Sequence, residues 1–286
     1  MTPAPPVNIS IVTPSYRNSG WLKLCIASVA DQRGVAVEHI VQDAGSDDGT
    51  QDWLPHDPRV RAFIEKDSGM YDAINRGYRR ATGEVLAYLN CDEQYLPGAL
   101  EAVAAHFERE PATDILLADT VVTNAQGEFV CCRKSLPPWP QVVWIHNPTI
   151  TSSVFIRRRV LEKHQLYFDP KWRALGDIFW MIEAVNRGLN FAVLRRYTSI
   201  FTDSGENLCL SPAAMREREL KIKLMPAWTR RFQWPLYQLH RARLFARGIY
   251  SEKPFTYSLF TLTSPAQRVD FFVAKPTSIW RGRSVK

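Results

Sequence analysis

The sequence predicts an α/β fold in which helices flank a mixed, mostly parallel sheet. Over the first 120 residues, short apolar runs typical of buried strands alternate with segments whose apolar residues recur at helical spacing. Parallel strands require this alternation, because each crossover must return the chain to the same edge of the sheet. The 286 residues are 45% hydrophobic and 23% charged, which is the composition of a globular protein with a sizeable core.

Five strands are predicted before residue 120, with helices between them. The first, at residues 7–13, is an apolar run that Pro14 and Ser15 end. The helix after it has apolar residues at i, i+3, i+4 and i+7. The other strands are predicted at residues 37–43, 60–65, 85–89 and 114–118, and the helices at residues 22–29, after Thr50, at residues 74–81 with an end at Gly83, and at residues 100–107.

Polar residues follow three of these strands at the point where each strand ends. They lie at residues 13–16, 42–47 and 90–93, the last of which reads Asn-Cys-Asp-Glu. Ligands of open α/β sheets bind beyond the carboxyl ends of the strands, so we expect the three segments to meet at one edge. Each segment taken alone is better explained as a surface turn. Acidic residues at several strand ends repel one another, and the cluster therefore predicts a cation and a polar ligand.

Positive charge is concentrated in the last quarter of the chain. The net charge is +7, but residues 211–286 contain 15 lysines and arginines against 4 aspartates and glutamates, whereas residues 1–210 carry a net −4. This asymmetry predicts two domains, residues 1–210 and a basic, aromatic-rich helical extension at residues 211–286. Because Pro235 interrupts any helix near Trp234, we expect two shorter helices there.

The cysteines and the first ten residues indicate in which cellular compartment the protein is expected. Five cysteines occur without a CxxC pair, and this odd number argues against a zinc site or a disulfide framework and favours a reducing compartment. Residues 1–10 lack the basic and apolar regions of a signal peptide, and no uncharged run approaches the roughly 18–20 residues that span a bilayer. We expect a cytoplasmic protein, with peripheral attachment to the inner face of the cell membrane as an open alternative.

Four segments resemble glycosyltransferase family 2 proteins of the GT-A fold. They are ISIVTPSY, VQDAGSDDGT, EKDSGMYDAINRGYRRATGEVLAYLNCDE and ALGDIFWMIEAVNRG, and their order and spacing fit over residues 7–205. The resemblance implies the Rossmann-like fold of nucleotide-diphospho-sugar transferases. It also implies an inverting transfer of a sugar from a nucleotide sugar, commonly a UDP-sugar, with Mn²⁺ or Mg²⁺ as cofactor.

The resemblance also implies which residues bind the donor. Asp43 matches the family acid that binds the uracil edge, since a carboxylate accepts a hydrogen bond from the ring N–H. Gly69 matches the loop that closes over the nucleotide, where glycine permits a close backbone approach. The expected nucleotide-sugar-binding residues are Pro14, Ser15, Tyr16, Asp43, Ser46, Asp67, Gly69, Asn90 and Asp92.

The expected metal ligand is Asp92, which occupies the second acidic position of the family's DxD motif. Mn²⁺ and Mg²⁺ are hard cations that prefer oxygen ligands, and a bound ion would neutralise the diphosphate leaving group. Asn90 replaces the first Asp of the motif. An amide can still form a hydrogen bond with a hydroxyl. With one negative charge fewer, the affinity for a metal ion would fall, and a mechanism with weak or no dependence on metal stays open.

Asp177 matches the family acid that deprotonates the acceptor hydroxyl. Without the resemblance, its position favours a helix cap or a first-turn acid. Two other polar residues are weaker candidates. Asp119 is expected to end the fifth strand, and there either to line the acceptor site or to belong to a hairpin turn. His146 either approaches the diphosphate or metal, or makes structural contacts.

The predicted function is transfer of a sugar to a saccharide or lipid-linked acceptor, in bacterial cell-surface polysaccharide or lipopolysaccharide synthesis. Two alternatives stay open. One is a nucleotide-sugar-binding scaffold without activity, which Asn90 suggests. The other is a basic nucleic-acid-binding protein, although no recognisable motif of that class occurs and nucleic acid is not an expected partner. The extension is expected either to pack its aromatic residues on the catalytic domain or to contact an anionic membrane surface.

Overall fold

A nine-stranded mixed sheet forms the centre of this computed structural model, which describes residues 7–146, 150–205, 208 and 211–280. Its strands are β1 (Asn8–Ser15), β2 (Ala36–Asp43), β3 (Arg61–Ile64), β4 (Val85–Tyr88), β5 (Gln94–Tyr95), β6 (Ile115–Asn124), β7 (Phe129–Arg133), β8 (Val154–Arg157) and β9 (Phe191–Asp203). The order is β3-β2-β1-β4-β8-β6-β9-β5, with β7 beside β6. The four strands β3, β2, β1 and β4 are parallel, as are β6 and β9, whereas β8 is antiparallel to both of its neighbours. The predicted mixed, mostly parallel sheet is confirmed.

Helices cover both faces of the sheet. Val12 and Leu86 belong to a core cluster on one face with α3 and α6, whereas Ile11 and Ala87 belong to a cluster on the other face with α1 and α4. Successive strand residues point to opposite faces, so a strand covered on both sides is apolar throughout. The helices of this part are α1 (Ser19–Ala30), α2 (Thr50–Trp53), α3 (Met70–Arg80), α4 (Ala99–Arg109), α5 (Arg159–Glu162) and α6 (Gly176–Asn186), with 3₁₀ turns at Leu54–His56 and Thr151–Ser153.

The five strands predicted before residue 120 are present, with shifted ends. Strand β1 includes Pro14 and Ser15, so the prediction that these two residues end it is wrong. Strand β6 continues to Asn124 and pairs with β7 through a turn at Gly127, so the prediction that Asp119 ends a strand is wrong. Helix α3 ends at Arg80, before Gly83. Gly83 instead permits a close approach to β1, since a Cβ at this position would lie 2.6 Å from the backbone nitrogen of Ser10.

The extension contains helices and a hairpin. The helices are α7 (Pro212–Leu224), α8 (Ala227–Arg231) and α9 (Gln233–Ala246). The predicted interruption near Trp234 is confirmed, and Pro235 lies in the first turn of α9, where its missing N–H is tolerated. Beyond Ala246 the helical prediction is wrong, because β10 (Phe255–Thr261) and β11 (Ser264–Val273) form an antiparallel pair. None of the described helices has the length and apolar character of a membrane span.

The hairpin is anchored on the large sheet. The side chain of Gln94 exchanges two hydrogen bonds with the backbone of Phe260, at 2.8 and 2.9 Å. Arg268 forms a two-pronged ion pair with Asp31, at 2.6 and 2.8 Å, and donates to the carbonyl of Tyr95 at 2.9 Å. Residues 255–273 therefore pack on the part of the chain that precedes residue 210. The domain boundary at residue 210 stays a prediction.

His39 gives the fold a pH dependence that can be measured. Its ring lies in the core, its Nε2 is 2.9 Å from Thr13 Oγ1, and burial lowers its pKa from 6.5 to about 3. Between these two values the unfolded chain binds a proton that the folded chain excludes, so the free energy of unfolding falls as the pH drops below 6.5. At about pH 5 this loss amounts to about 2 kcal/mol.

We predict that His39→Gln loses less stability than the wild type between about pH 7.5 and about pH 5, because glutamine does not titrate. Urea-unfolding free energies at the two pH values measure this difference. The exposed His56→Gln is the matched control and should follow the wild type. Equal losses in the wild type and in His39→Gln would contradict the prediction.

Candidate active site

The parallel register of β1, β2 and β4 brings the three polar segments together. Ser15 lies opposite Asp43 in the β1–β2 pair, and the Ser15 carbonyl accepts a hydrogen bond from the N–H of Ala44 at 2.9 Å. The side-chain amide of Asn18 donates to the sulfur of Cys91 at 3.2 Å, which ties the end of β1 to the turn after β4. The predicted meeting of these strand ends at one edge is therefore observed.

The loop after β2, residues 43–48, is organised by a buried carboxylate and is called the Asp43 loop below. Asp43 Oδ1 accepts from the backbone N–H groups of Gly45 and Ser46, at 3.0 and 2.7 Å, and Oδ2 accepts from the Ser46 hydroxyl at 2.7 Å. Asp43 is fully buried. Its observed role is to shape the loop, and its contact with a base stays a prediction.

Among the residues predicted to border the base, Tyr16 offers an accessible surface. Its side chain is 55% exposed, whereas Pro14 and Ser15 are buried within β1. The Arg17 guanidinium lies 5.1 Å from the centre of the Tyr16 ring and forms a 2.6 Å ion pair with Asp47. The ring is thus held at the edge of the Asp43 loop, where a planar group can stack on it.

The segment before α3 places Asp67 and Gly69 beside the same edge. Asp67 Oδ1 accepts from the N–H of Gly69 at 2.8 Å. Burial raises the pKa of Asp67, and the negative charges of Asp72 and Asp43 raise it further. Gly69 has φ = 126°, a conformation that favours glycine, and a Cβ there would lie 2.6 Å from Nη1 of Arg173.

The turn after β4, residues 90–93, gathers three oxygen-bearing side chains and is called the Asn90 turn below. The N–H of Asn90 donates to Glu93 Oε2 at 2.9 Å, and the N–H of Glu93 donates to the Asn90 carbonyl at 3.0 Å. Glu93 is buried, and this burial together with Asp92 raises its pKa to about 8. Burial also raises the pKa of Asp92, whose carbonyl accepts from the Thr202 hydroxyl at 2.6 Å.

The donor atoms of the Asn90 turn fit a hard divalent cation. Asn90 Oδ1 and Glu93 Oε1 are buried and lack a hydrogen-bond partner among the described residues, and the Asp92 carboxylate lies beside them in the chain. Mg²⁺ is bound through one or two carboxylates together with substrate phosphates. In the described part of the chain, no three His, Cys, Asp or Glu side chains form a closed metal site. A cation at Asp92 would therefore complete its coordination with phosphate and water.

Asp177 lies in the first turn of α6, and Tyr71 of α3 orients it. The Tyr71 hydroxyl donates to Asp177 Oδ1 at 3.1 Å and accepts from the N–H of Asp177 at 3.2 Å. Gly176 permits this approach, because a Cβ there would lie 2.6 Å from the Tyr71 ring. Burial raises the pKa of Asp177, as in many general bases. A cavity of about 20 Å³, the size of one water, is lined by Asp177, Tyr88 and Thr151 among others.

The structure shows Asp119 and His146 in internal contacts instead of in the strand-end cluster. Asp119 accepts from the N–H of Ser135 and from Arg195 Nη1, both at 2.9 Å, and burial raises its pKa to about 6. His146 Nδ1 lies 3.3 Å from His240 Nε2 in α9, and burial lowers the pKa of His146 to about 4. These contacts favour the structural alternative for His146. Asp119 lies within β6 and not in the hairpin turn, so that alternative is wrong for Asp119.

Three residues around Asp177 were not predicted from the sequence. Tyr71 is part of a segment that resembles the family, but nothing in the sequence links it to a residue more than 100 positions away. Glu217 and Lys221 belong to α7, and both influence Asp177 through their charges. Their i, i+4 spacing places them on one face of the helix, a pattern that is as typical of a surface ion pair as of a site.

Comparisons with known proteins identify the class. The sequence pattern of the family described as Glycosyl transferase family 2 matches residues 10–132, which contain both the Asp43 loop and the Asn90 turn. Among solved structures, TarS 1–349 of S. aureus with UDP-GlcNAc superposes with a TM-score of 0.60 at 19% identity, over 79% of this chain and 73% of that one. Mannosyltransferase PcManGT of Pyrobaculum calidifontis with GDP-Man and Mn²⁺ superposes with a TM-score of 0.55 at 16% identity, over 76% of this chain and 62% of that one. These likenesses establish the GT-A fold, and residues 10–132 match the glycosyltransferase family 2 pattern.

Proteins of similar sequence are also named as glycosyltransferases. The uncharacterized glycosyltransferase alr2836 of Nostoc sp. is 25% identical over 187 residues, which are 60% of this chain and 57% of the relative. The PGL/p-HBAD biosynthesis glycosyltransferase of Mycobacterium bovis is 32% identical over 121 residues, 40% of this chain and 47% of the relative. The putative teichuronic acid biosynthesis glycosyltransferase TuaG of Bacillus subtilis is 34% identical over 98 residues, which are 32% of this chain and 39% of the relative. The chain spans about half the length of these relatives or less.

Proposed function

We propose that this protein is an inverting glycosyltransferase that moves a sugar from a UDP-sugar to a saccharide or lipid-linked acceptor. One observation carries the proposal: within a family 2 domain, the Asp43 loop and the Asn90 turn meet at the carboxyl edge of the sheet. Ligands of open α/β sheets bind at this edge.

The donor nucleotide is assigned to the space between Tyr16, the Asp43 loop and Gly69. A fold relative binds UDP-GlcNAc, which supports a UDP-sugar, and another contains GDP-Man with Mn²⁺, which supports a divalent cation. Asp92 would hold the ion, which when bound neutralises the charge of the diphosphate leaving group. Asn90 contributes an amide that can bond a sugar or ribose hydroxyl.

The transfer step uses Asp177 as the general base. Asp177 accepts the proton of the acceptor hydroxyl, whose oxygen forms a bond to the anomeric carbon as the bond to the diphosphate oxygen breaks. The diphosphate leaves with the electron pair, and attack from the opposite face inverts the anomeric centre. Tyr71 fixes one carboxylate oxygen through its 3.1 Å hydrogen bond, so the base is oriented before the acceptor binds.

The acceptor is assigned to a bacterial cell-surface glycan or its lipid-linked precursor. Relatives of this chain are named for the biosynthesis of teichuronic acid and of PGL/p-HBAD, which supports this class of product. A lipid-linked acceptor lies in a membrane, so the enzyme must bring its site to a lipid surface.

The helices of the extension carry the features of such a surface contact. Trp234 and Phe245 are 73% and 77% exposed, and Trp228 and Phe232 are each 50% exposed. The i, i+7, i+11 spacing of Trp234, Arg241 and Phe245 places aromatic and basic side chains on one face of α9. Exposed aromatic side chains among arginines fit the interface of an anionic bilayer better than packing on the catalytic domain. We therefore assign α8 and α9 to peripheral membrane contact.

The metal assignment predicts a specific loss of nucleotide affinity. In Asp92→Ala, the gain in UDP affinity that Mn²⁺ provides should disappear, because the principal ligand of the ion is removed. The protein should stay folded, since Asp92 is only partly buried and its surroundings disfavour the charged form of its side chain. Isothermal titration of UDP with and without Mn²⁺ measures the effect, with the exposed Asp52→Ala as the matched control. An unchanged dependence on Mn²⁺ in Asp92→Ala would refute the assignment.

The base assignment predicts a loss of turnover without a loss of binding. Asp177→Asn keeps the shape of the side chain and removes its basicity, so kcat should fall by about 10²–10⁴-fold while the Kd for UDP is retained. Release of UDP from UDP-glucose, UDP-galactose and UDP-N-acetylglucosamine measures turnover. The exposed Asp169→Asn serves as the control. If Asp177→Asn keeps the turnover of the wild type, Asp177 is a capping residue and not the base. If the wild type itself binds UDP without any turnover, the alternative of a scaffold without activity is favoured.

The membrane assignment predicts preferential binding to anionic lipid. The full chain should sediment with vesicles of phosphatidylcholine and phosphatidylglycerol at low ionic strength, and far less with phosphatidylcholine alone. A double variant, Trp234→Ser with Phe245→Ser, should lose most of this binding. Leu262→Ser with Phe272→Ser changes two exposed apolar residues of the hairpin and is the matched control. Equal binding by the two double variants, or binding without preference for anionic lipid, would remove the assignment.

A further inference from the structure

Helix α7 of the extension reaches the segment that precedes Asp177. The carboxylate of Glu217 is buried in the middle of this helix. Its Oε1 accepts from the N–H of Arg173 at 2.6 Å, and its Oε2 accepts from the N–H groups of Ala174 and Leu175, at 3.0 and 2.7 Å. Three successive backbone amides therefore bind one carboxylate.

These three bonds determine how the chain enters α6. The helix begins at Gly176, so residues 173–175 lie ahead of the intrahelical hydrogen bonds, and Ala174 and Leu175 are buried. A buried amide without a partner is destabilising, and a bond to a charged acceptor is stronger than a bond to a neutral one. Glu217 thus holds the backbone of residues 173–175 in a single arrangement.

The same segment connects the two halves of the proposed active site. The guanidinium of Arg173 lies against Gly69, in the loop assigned to the nucleotide. Four residues further on, Asp177 is bonded to Tyr71, which lies two residues after Gly69. The position of residues 173–175 therefore sets the distance between the base and the donor loop.

We propose that Glu217 is a positioning residue for sugar transfer. It holds residues 173–175 so that Asp177 faces the acceptor hydroxyl, and α7 is therefore part of the active site as well as of the extension. This inference rests on the proposed function of Asp177 as the base. It assigns to the extension a role in turnover that is separate from membrane contact.

The electrostatic surroundings of Asp177 provide an independent readout. Among the described residues, the titratable groups that face Asp177 include the hydroxyls of Tyr71 and Tyr88 together with Glu217 and Lys221 of α7. Burial is the main cause of the raised pKa of Asp177, and the negative charge of Glu217 raises it further. Removal of that charge lowers the pKa of Asp177, so the acidic limb of the kcat profile moves to lower pH.

The test compares Glu217→Gln with Glu219→Gln in the full chain. Glutamine keeps the size of the side chain and can still accept from Ala174 and Leu175, but its NH₂ group opposes the N–H of Arg173. Glu219 is exposed on the same helix and loses the same charge. With UDP-N-acetylglucosamine as the probe, we expect kcat for UDP release to fall at least about tenfold in Glu217→Gln, while the Kd for UDP stays within about twofold. The acidic limb should shift to lower pH in Glu217→Gln alone.

Asp177→Asn, measured in parallel, separates this inference from the proposed function. If Asp177→Asn lacks turnover while Glu217→Gln retains wild-type kcat and the wild-type pH profile, the inference about Glu217 is overturned and the base assignment stands. If Asp177→Asn retains wild-type kcat, both are overturned. A loss of UDP affinity in Glu217→Gln that matches its loss of kcat would make Glu217 a structural residue and would also overturn the inference.

Discussion

The parallel pairing of β1 with β2 on one side and β4 on the other is the constraint on which the rest of the structure depends. It aligns Ser15 with Asp43 and Val12 with Tyr88, so the Asp43 loop and the Asn90 turn leave the sheet at the same edge. A shift of either pair by one residue would turn every side chain of the strand to the opposite face. Side chains on both faces of β1 are packed in core clusters, so such a shift would disrupt the packing of two clusters at once.

The acids at this edge are held in surroundings that disfavour their charged forms, and the proposed chemistry depends on this property. Burial is the main cause of the raised pKa values of Asp67, Asp92, Glu93 and Asp177. A poorly solvated carboxylate is stabilised strongly by a bound cation or by a hydroxyl that donates a hydrogen bond or a proton to it. These four acids therefore suit a ligand that brings a positive charge or a hydroxyl group. The proposed metal at Asp92 and the proposed acceptor at Asp177 are such ligands.

The sequence predicted the first half of the fold well because local patterns determine it. Apolar runs fixed the five strands before residue 120, and Pro235 fixed the break before α9. The contacts that complete the surroundings of Asp177 could not be predicted, since Tyr71 and Glu217 meet it only through tertiary packing. The hairpin at residues 255–273 was missed because its alternation is weak and its anchors, Gln94 and Asp31, lie far away in the chain.

The extension joins the two proposed functions of the molecule, since α7 holds the segment before Asp177 while α8 and α9 expose aromatic and basic side chains. The central claim concerns the edge formed by β1, β2 and β4. A crystal structure of the full chain with UDP and Mn²⁺ tests it most directly. The account predicts the uridine beside Tyr16 and the Asp43 loop, and the ion on Asp92 and the diphosphate. A nucleotide bound at any other place on the molecule, with no ion at Asp92, would contradict it.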